Sequence, residues 1–472
     1  MFYENNTCRY EGEIKDGKRH GEGYCLYKYS HKFEWQGQWR DDMWCQGLFT
    51  WENGEQFIGR WEGDKQYGVY SSFDGVTYEG EWKHGIAHGR GKVTSGNSHY
   101  YDGEWIDDKK HGHGVTVVPG VYSYDGDWKE DQFDGYGTYT WFESGDKYIG
   151  EWKNGLKHGR GLLTSVNNEH FDCEFKRDLL NGEGIYTGPN GTRYEGTYED
   201  GKMNGYGCLK LPIGDVYEGE FKDDLRHGHG KYVWNDGLTY VGEWKDGLKH
   251  GRGIEAWPCG TLYDGEWENN LMHGNGKKKW VDGSEYDGNW KNNQKHGYGL
   301  YSWSSGEKYG GEWRNDLKHG VGWMITANGD WYECEWENDK MNGQGEVTFI
   351  RGDYYVGEFK DNMRNGQGIY IWADGAIYEG EWENSLLHGR GKLTWENGAG
   401  TYDGGFENGG HHGFGIKRWP NGSRYEGEWK ENERNGFGTY WWRDGTKYEG
   451  EWGDEIDADL HHNGAQRSIV AG

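Results

Sequence analysis

The sequence predicts an all-β protein: an elongated, twisted single-layer antiparallel sheet, a β-meander solenoid of about twenty consecutive hairpins. Three observations predict it: a repeat of about 23 residues, an aromatic-and-glycine pattern of period two inside each repeat, and turn residues between the patterns. The composition agrees, because 86 of the 472 residues are glycine and 29 are tryptophan. Since glycine cannot fill a core and rings can cover surface, this mixture is typical of sheets on which rings lie over glycines.

The repeat unit is clearest in Tyr240–Gly260, which reads YVGEWKDGLKHGRGIEAWPCG. Side chains alternate across a strand, so Tyr240, Gly242 and Trp244 share one face of the first strand. The Asp-Gly pair at 246–247 tolerates positive φ and predicts a reversal of the chain. The returning strand repeats the pattern, as GKYVW and GTYTW show in other units. Each hairpin is therefore expected to have one face of rings and glycines.

Twenty units begin at an aromatic residue. These residues are Tyr10, Trp35, Phe57, Tyr78, Tyr101, Tyr124, Tyr148, Phe171, Tyr194, Tyr217, Tyr240, Tyr263, Tyr286, Tyr309, Tyr332, Tyr355, Tyr378, Tyr402, Tyr425 and Tyr448. The first units are unevenly spaced, as capping repeats are. We therefore predict irregular capping repeats over residues 1–77, a regular repeat array over 78–447, and a terminal partial repeat with a polar tail over 448–472. The tail from Gly453 is predicted to be frayed or bound by a partner, with disorder favoured.

Histidines recur at one position and invite a metal or catalytic interpretation. They are His20, His88, His111, His158, His227, His250, His273, His296, His319, His388 and His412. A metal needs ligands converging within about 2.0–2.3 Å, whereas equivalent positions of successive hairpins lie roughly 10 Å apart. Asparagine replaces the histidine in several units, which favours a turn residue that tolerates positive φ over a ligand or a general base.

Other chemical signals are equally weak. Acid pairs such as Glu79 with Glu81 recur along the sheet, so a solvated acidic face is favoured over a catalytic pair. The seven cysteines never form a CxxC motif, which indicates reduced structural thiols. No phosphate loop, nucleophile elbow or calcium loop occurs in the sequence. We therefore predict that the chain is not an enzyme and has no catalytic residue, metal or cofactor.

A family resemblance rests on two motifs. YEGEW stands unaltered at Tyr78, Tyr378, Tyr425 and Tyr448, and HGRG stands at His88, His158, His250 and His388. This pattern, repeated from about residue 10 to residue 452, resembles the MORN repeat (membrane occupation and recognition nexus). In that family each repeat is a hairpin of one long, twisted sheet, in agreement with the alternation of the strands. Two units depart from the motif, because Cys173 and Cys334 replace its glycine. A thiol is small and apolar, so room for the aromatic ring is still expected there.

The resemblance also implies a function. Proteins made of MORN repeats include ciliary and flagellar components and scaffolds of protist basal and budding complexes, some of which dimerise. The leading hypothesis is therefore a non-enzymatic structural scaffold or protein-docking rod in a cytoskeletal assembly. The resemblance favours the ciliary or flagellar axoneme as the location within the cytoplasm. The expected partners are other proteins, and a homo-oligomer is a further option.

The alternative is a membrane-associated tether or a lipid-binding MORN module, as in junctophilins or plant phosphatidylinositol phosphate kinases. A regulatory segment of an enzyme, like the MORN repeats beside some SET methyltransferase domains, is a third option. The formal net charge of −28 argues against nucleic acid and against an anionic leaflet, because both require clusters of basic residues. No window approaches a membrane-spanning run or a signal peptide, which predicts an intracellular protein without a membrane partner.

The aromatic face is the most promising binding surface, because a single-layer sheet leaves rings without a second layer to cover them. A helix or an extended peptide lying lengthwise is the expected ligand. The candidate partner-binding residues are Tyr217, Tyr240, Trp244, Trp257, Tyr263, Trp267, Trp280, Tyr286, Trp290 and Trp303. The glycines expected to make room for these rings are Gly219, Gly242, Gly265 and Gly288.

Overall fold

The computed structural model describes residues 2–4, 8–27, 32–63 and 65–453. The chain divides into two compact units, and the boundary along the sequence lies between Asn235 and Asp236. Apart from Gly453, the predicted C-terminal tail lies outside the described residues. Within the described residues the secondary structure is β throughout, except for one 3₁₀ turn at Glu396–Gly398. The all-β prediction is confirmed.

The first unit is an antiparallel meander in which each strand pairs with the next along the chain. Its strands are β1 (Phe2–Glu4), β2 (Cys8–Lys15), β3 (Lys18–Tyr27), β4 (Phe33–Arg40), β5 (Met43–Trp51), β6 (Gln56–Glu62), β7 (Lys65–Ser71), β8 (Thr77–Lys83), β9 (Ile86–Thr94), β10 (Tyr100–Ile106), β11 (Lys109–Val118), β12 (Tyr122–Lys129), β13 (Gln132–Trp141), β14 (Lys147–Lys153), β15 (Leu156–Thr164), β16 (His170–Lys176), β17 (Leu179–Thr187), β18 (Arg193–Glu199), β19 (Lys202–Lys210), β20 (Val216–Lys222) and β21 (Leu225–Val233). Strand β1 precedes the first predicted repeat and was not expected.

The second unit continues the same pattern of sequential antiparallel pairs. Its strands are β22 (Thr239–Lys245), β23 (Leu248–Ala256), β24 (Leu262–Glu268), β25 (Leu271–Lys279), β26 (Glu285–Lys291), β27 (Gln294–Ser302), β28 (Lys308–Arg314), β29 (Leu317–Ile325), β30 (Trp331–Glu337), β31 (Lys340–Thr348), β32 (Tyr354–Lys360), β33 (Met363–Ile371), β34 (Ile377–Glu383), β35 (Leu386–Thr394), β36 (Thr401–Glu407), β37 (Gly410–Arg418), β38 (Arg424–Lys430), β39 (Glu433–Trp441) and β40 (Lys447–Trp452).

The turn inside each hairpin has two residues. Lys245 pairs with Leu248, which leaves Asp246 and Gly247 at φ values of 50° and 83°. Two consecutive positive φ values define the type I′ turn, whose twist matches that of the flanking strands. The reversal predicted from the Asp-Gly pair is therefore confirmed.

The core of each unit is a ladder of rings on one face of the sheet. Tyr240 is fully buried and lies edge-to-face between Trp244 of its own hairpin and Trp267 of the next, with ring centroids 5.1 and 5.5 Å away. The same geometry recurs between Tyr263 and its two tryptophans. Edge-to-face pairs are favourable beyond the area that they bury. Neighbouring hairpins therefore share their core rings, which explains how a single-layer sheet can have a core.

Two cysteines interrupt the ladder. A Cβ on Gly345 would lie only 2.6 Å from the sulfur of Cys334, so the thiol occupies the space above this glycine. Tyr332 is half-exposed and lies 6.4 Å from Phe349 instead of joining the ladder. Phe171, in the repeat that contains Cys173, is also half-exposed and packs against Tyr186 instead. The expectation that a cysteine leaves room for the ring is wrong, because the thiol itself fills the gap.

Candidate functional site

Seven of the ten residues predicted to bind a partner are buried. Each has at most 4% of its surface exposed, because the rings of the ladder cover one another. They are Tyr217, Tyr240, Trp244, Tyr263, Trp267, Tyr286 and Trp290. This corrects the candidate surface: these rings form the core and have almost no area to offer a partner.

Long cationic side chains complete this cover. The Nζ atom of Lys249 lies 4.0 Å above the ring of Trp267 and 5.4 Å above that of Tyr240. It also forms an ion pair of 2.5 Å with Glu255, whose side chain is itself 5% exposed. Burial lowers the pKa of Lys249, and the bond to Glu255 opposes that effect. Lys295 and Lys318 cover the next tryptophans at 4.1 and 4.2 Å. This layer was not predicted from the sequence, although its signal is local: the residue nine positions after the start is lysine or arginine in eight of the sixteen repeats that begin between Tyr78 and Tyr425.

The remaining three candidates, Trp257, Trp280 and Trp303, are half-buried. Each directly follows a second strand, at the turn into the next hairpin, where Trp257 N–H donates to Thr261 O at 2.9 Å. Four further tryptophans of the second unit hold the equivalent position and are also half-buried: Trp372, Trp395, Trp419 and Trp442. We call these seven tryptophans the tryptophan strip.

The strip is held in place by neighbouring side chains. The ring of Trp303 lies 4.4 Å from that of Tyr301, and Trp280 packs 5.4 Å from the same tyrosine. Lys278 Nζ lies 5.0 Å above Trp257. Supported rings with a free edge can contact a ligand without a large loss of side-chain entropy. The strip is therefore the part of the predicted aromatic face that remains accessible.

The predicted structural glycines lie beneath tyrosine rings. A Cβ on Gly242 would lie 2.7 Å from Tyr240 Oη and 2.6 Å from the carbonyl oxygen of Arg252. On the opposite strand, a Cβ on Gly253 would lie 2.6 Å from Cε2 of Tyr240. The hydroxyl of Tyr240 donates to Glu243 O at 2.9 Å. Gly219, Gly265 and Gly288 have the same environment under their own tyrosines.

A β-bulge that recurs in the second strands, although not in β7, revises the roles of the histidine and of one glutamate. His250 pairs with Glu243 within the β22–β23 ladder, and the next paired residue is Gly253. Between them Gly251 has a φ of 55°, and the Glu243 carboxylate accepts the Arg252 N–H at 2.9 Å. His250 is therefore a strand residue and not a turn residue, so that prediction is wrong. Glu243 likewise satisfies the backbone at the bulge, whereas the sequence indicated only a solvated rung.

The turns also connect successive hairpins. Asn270, the second turn residue of its hairpin, accepts the Lys249 N–H at 2.8 Å and donates its own N–H to Lys249 O at 3.0 Å. Where glycine holds that place, as at Gly409, the backbone donates to Leu387 O at 2.9 Å. Asparagine and aspartate at this position therefore add a side-chain hydrogen bond between hairpins. The sequence analysis considered only the Asp-Gly form of the turn.

No arrangement for metal or redox chemistry is found among the residues that the structure describes, where no three metal-ligating side chains come together. All seven cysteines are free thiols. Burial raises the pKa of both Cys173 and Cys334 to about 12. These thiols remain protonated near neutral pH and have a packing role.

Comparison with protein families matches the model described as MORN repeat to eighteen segments. The matched residues are 10–28, 35–56, 78–100, 101–117, 124–143, 148–169, 174–193, 194–216, 217–239, 240–261, 263–285, 286–308, 309–331, 332–354, 355–377, 378–400, 402–424 and 425–447. The chain belongs to the MORN repeat family. The MORN repeat is a non-enzymatic repeat. Residues 57–77, the third predicted repeat, are not matched.

No curated protein matches the MORN chain in sequence. Solved structures resemble it only weakly. The TCP domain of SAS-4 (dCPAP) of Drosophila melanogaster, in complex with a proline-rich motif of Ana2 (dSTIL), has 10% identity and a TM-score of 0.18, covering 38% of this chain and 85% of its own. The E1021V mutant of the TCP10 domain of Danio rerio CPAP has 13% identity and a TM-score of 0.18, covering 50% and 94%. A streptogramin B lyase has 15% identity and a TM-score of 0.11, covering 67% and 90%.

In the part of the MORN chain that the structure describes, no helical segment has the length and apolar character needed to span a bilayer.

Proposed function

We propose that this MORN protein is a non-enzymatic scaffold that docks other proteins in a cytoskeletal assembly, most favourably the axoneme of a cilium or flagellum. The observation that carries the docking role is the tryptophan strip, which places a half-buried tryptophan in most hairpins of the second unit, beside the buried ladder. The cytoskeletal location rests on the character of MORN proteins built from repeats alone.

The spacing of the strip favours a helical or extended partner segment lying across successive hairpins. Two strands separate equivalent tryptophans, which places them roughly 10 Å apart. Seven residues of an α-helix rise about 10.5 Å, so one apolar residue per two helical turns matches one tryptophan per hairpin. Three residues of an extended peptide span a similar length. An amphipathic helix supplies such a row on a single face, and we favour it as the partner segment.

The absence of an enzymatic role is part of the proposal. The recurrent glutamates that could pair for acid–base chemistry instead accept backbone N–H groups at the bulges, as Glu243 does for Arg252 and Glu381 does for Arg390 at 3.0 Å. The buried tyrosines donate their hydroxyls to backbone carbonyls, as Tyr240 does. These groups are already engaged in holding the hairpins.

The docking role is tested by changing the strip while leaving the core intact. Replacement of Trp257, Trp280 and Trp303 by serine is expected to abolish proximity crosslinks to partner proteins, because the ring contacts are removed. A matched control replaces three exposed apolar residues of the opposite face by serine. The control residues are Val241, Ile254 and Leu300. Equal retention of crosslinks in both variants would exclude the strip as the docking surface.

The location is tested with a tagged copy expressed in a ciliated or flagellated cell. Axonemal signal that survives detergent extraction supports the proposal, whereas uniform cytosolic signal contradicts the cytoskeletal role. The alternative, a membrane tether or lipid-binding module, predicts sedimentation with anionic liposomes at about 0.15 M salt, where surface charges are screened beyond about 8 Å. Such sedimentation would reverse the order of the two hypotheses.

A further inference from the structure

The second and third repeats lack a cation that many other repeats possess. Nine residues after the starting aromatic residue, eight of the sixteen repeats that begin between Tyr78 and Tyr425 have a lysine or arginine, and the other eight have an apolar residue or His411. Such a cation can cover the tryptophan of the next hairpin. Lys110 does so over Trp128 at 4.7 Å, and Arg434 over Trp452 at 4.4 Å. The equivalent residues of the second and third repeats are Trp44 and Gln66. Among the described residues, no cation lies above the rings that they face, Trp61 and Trp82.

A pocket of about 640 Å³ opens at this place in the first unit. Trp44, Trp51, Trp61, Tyr70 and Trp82 contribute its walls, and all five rings are half-buried. Tyr70 is tilted by 70° to Trp51 and by 69° to Trp82, each with centroids 6.2 Å apart. Trp44 and Trp61 are inclined by 62° at the same separation. The walls therefore present ring faces and edges around a common space. We call this set the aromatic pocket.

The chemistry of the pocket favours an organic cation. Ring faces attract ammonium and guanidinium groups through their quadrupole, and tryptophan does so most strongly. Asp108, Gln66 and His84 also line the pocket. One carboxylate oxygen of Asp108 accepts the Ala87 N–H at 2.6 Å, and the other oxygen and the Gln66 amide oxygen are further acceptors for a cation. The net charge of −28 raises the local concentration of cationic partners. The protein's own Lys249 shows the geometry that such a group adopts in this ladder, at 4.0 Å from Trp267.

We propose that the aromatic pocket binds a lysine or arginine side chain of a partner protein, in the place that a lysine or arginine of the chain itself holds in half of the later repeats. This pocket is separate from the tryptophan strip. The proposed scaffold role does not specify the chemistry of a ligand, whereas the pocket is proposed to bind a cationic side chain. Through Trp61, Gln66 and Tyr70 it overlaps residues 57–77, which the MORN model does not match.

The test uses the full chain labelled with 5-fluorotryptophan and followed by fluorine NMR. The resonances of Trp61 and Trp82 are assigned by single substitutions to phenylalanine. Acetylated and amidated Gly-Arg-Gly and Gly-Lys-Gly are titrated as probes, with the citrulline and norleucine peptides as neutral isosteres. Both cationic peptides are expected to shift these two resonances, with dissociation constants at least about fivefold lower than those of the isosteres. Equal binding of charged and neutral peptides, or no shift with any peptide, overturns the proposal.

Two variants at one position separate the charge from the cavity. Gln66→Arg supplies the cation found in half of the later repeats and is expected to abolish binding of the peptides. Gln66→Ala introduces the residue type that the next repeat has at this position, where Ala87 stands, and is expected to retain binding. Retained affinity in Gln66→Arg overturns the proposal. Shifts produced by tetramethylammonium but by neither cationic peptide overturn it as well, because the site would then take a free cation and not a side chain.

Discussion

Replacing Trp105 by phenylalanine tests whether hydrogen bonds between hairpins, and not ring packing alone, stabilise the ladder. The Nε1–H group of Trp105 donates to Gly91 O of the preceding hairpin at 2.9 Å. Trp152 is the matched control, because its Nε1 atom is buried and has no acceptor. The two tryptophans are 8% and 7% exposed, lie in the same unit and contact tyrosine rings on both sides.

The two substitutions remove the same atoms. Trp152 also packs against Phe133 and Tyr139, with ring centroids 5.2 and 5.8 Å away, so its packing loss is at least as large as that of Trp105 and does not explain a greater destabilisation at Trp105. Trp105→Phe also removes a hydrogen bond with a net value of about 0.5–1.5 kcal/mol. Trp152→Phe instead removes a buried donor that has no partner. We therefore expect Trp105→Phe to lower the free energy of unfolding by about 1–2 kcal/mol more than Trp152→Phe does.

Hydrogen–deuterium exchange is the appropriate assay, because opening of a repeat array need not be a single two-state event. The comparison uses the amides of β9 and β10 for Trp105, and those of β13 and β14 for Trp152, each referred to the wild-type protein. A difference between the two variants of less than about 0.3 kcal/mol would refute the reasoning and leave packing as the sole coupling between hairpins.

Three further predictions concern the core and its titratable groups. Gly242→Val should lower the free energy of unfolding by about 1–3 kcal/mol because its side chain meets the facing strand, whereas His250→Asn should be nearly neutral; denaturant titration of both variants measures this. Cys259 is exposed, and the Thr261 hydroxyl lowers the pKa of its thiol, whereas Cys173 and Cys334 are buried. Iodoacetamide at about pH 7.5 should therefore modify Cys259 at least about a hundredfold faster than either buried cysteine. Comparable rates would contradict the burial of those two thiols. Burial, and then Lys417, lower the pKa of His411 to about 4, below its ordinary 6.5, so its neutral form is favoured by folding. Stability present above about pH 6.5 should fall by roughly 3 kcal/mol as the pH approaches 4, and His411→Met should flatten that profile; identical profiles for the two proteins would exclude the assignment.

The hairpins could be predicted because their signals are local. The alternation of Tyr240, Gly242 and Trp244 and the Asp-Gly turn each depend on neighbouring residues alone, and the structure confirms both. The bulge could not be predicted, because positive φ at Gly251 serves a turn and a bulge equally well, and only the strand pairing separates them. Interpreting His250-Gly251 as part of the reversal also removed Lys249 from the strand, and with it the cation layer. The aromatic face was consequently expected to be more exposed than it is.

The departures from the repeat therefore carry more functional information than the repeat itself. A regular unit satisfies its own rings, as Lys249 and Glu255 do above the ladder, and leaves only the edge of Trp257 accessible. Cys334 keeps the core closed but releases Tyr332 from the ladder. Gln66 has the opposite effect, because it leaves the rings in place without a lysine, arginine or large apolar side chain to cover them. This departure coincides with a concave surface lined by aromatic rings. A search for binding sites in similar arrays should therefore start from repeats whose ninth residue leaves the facing rings uncovered.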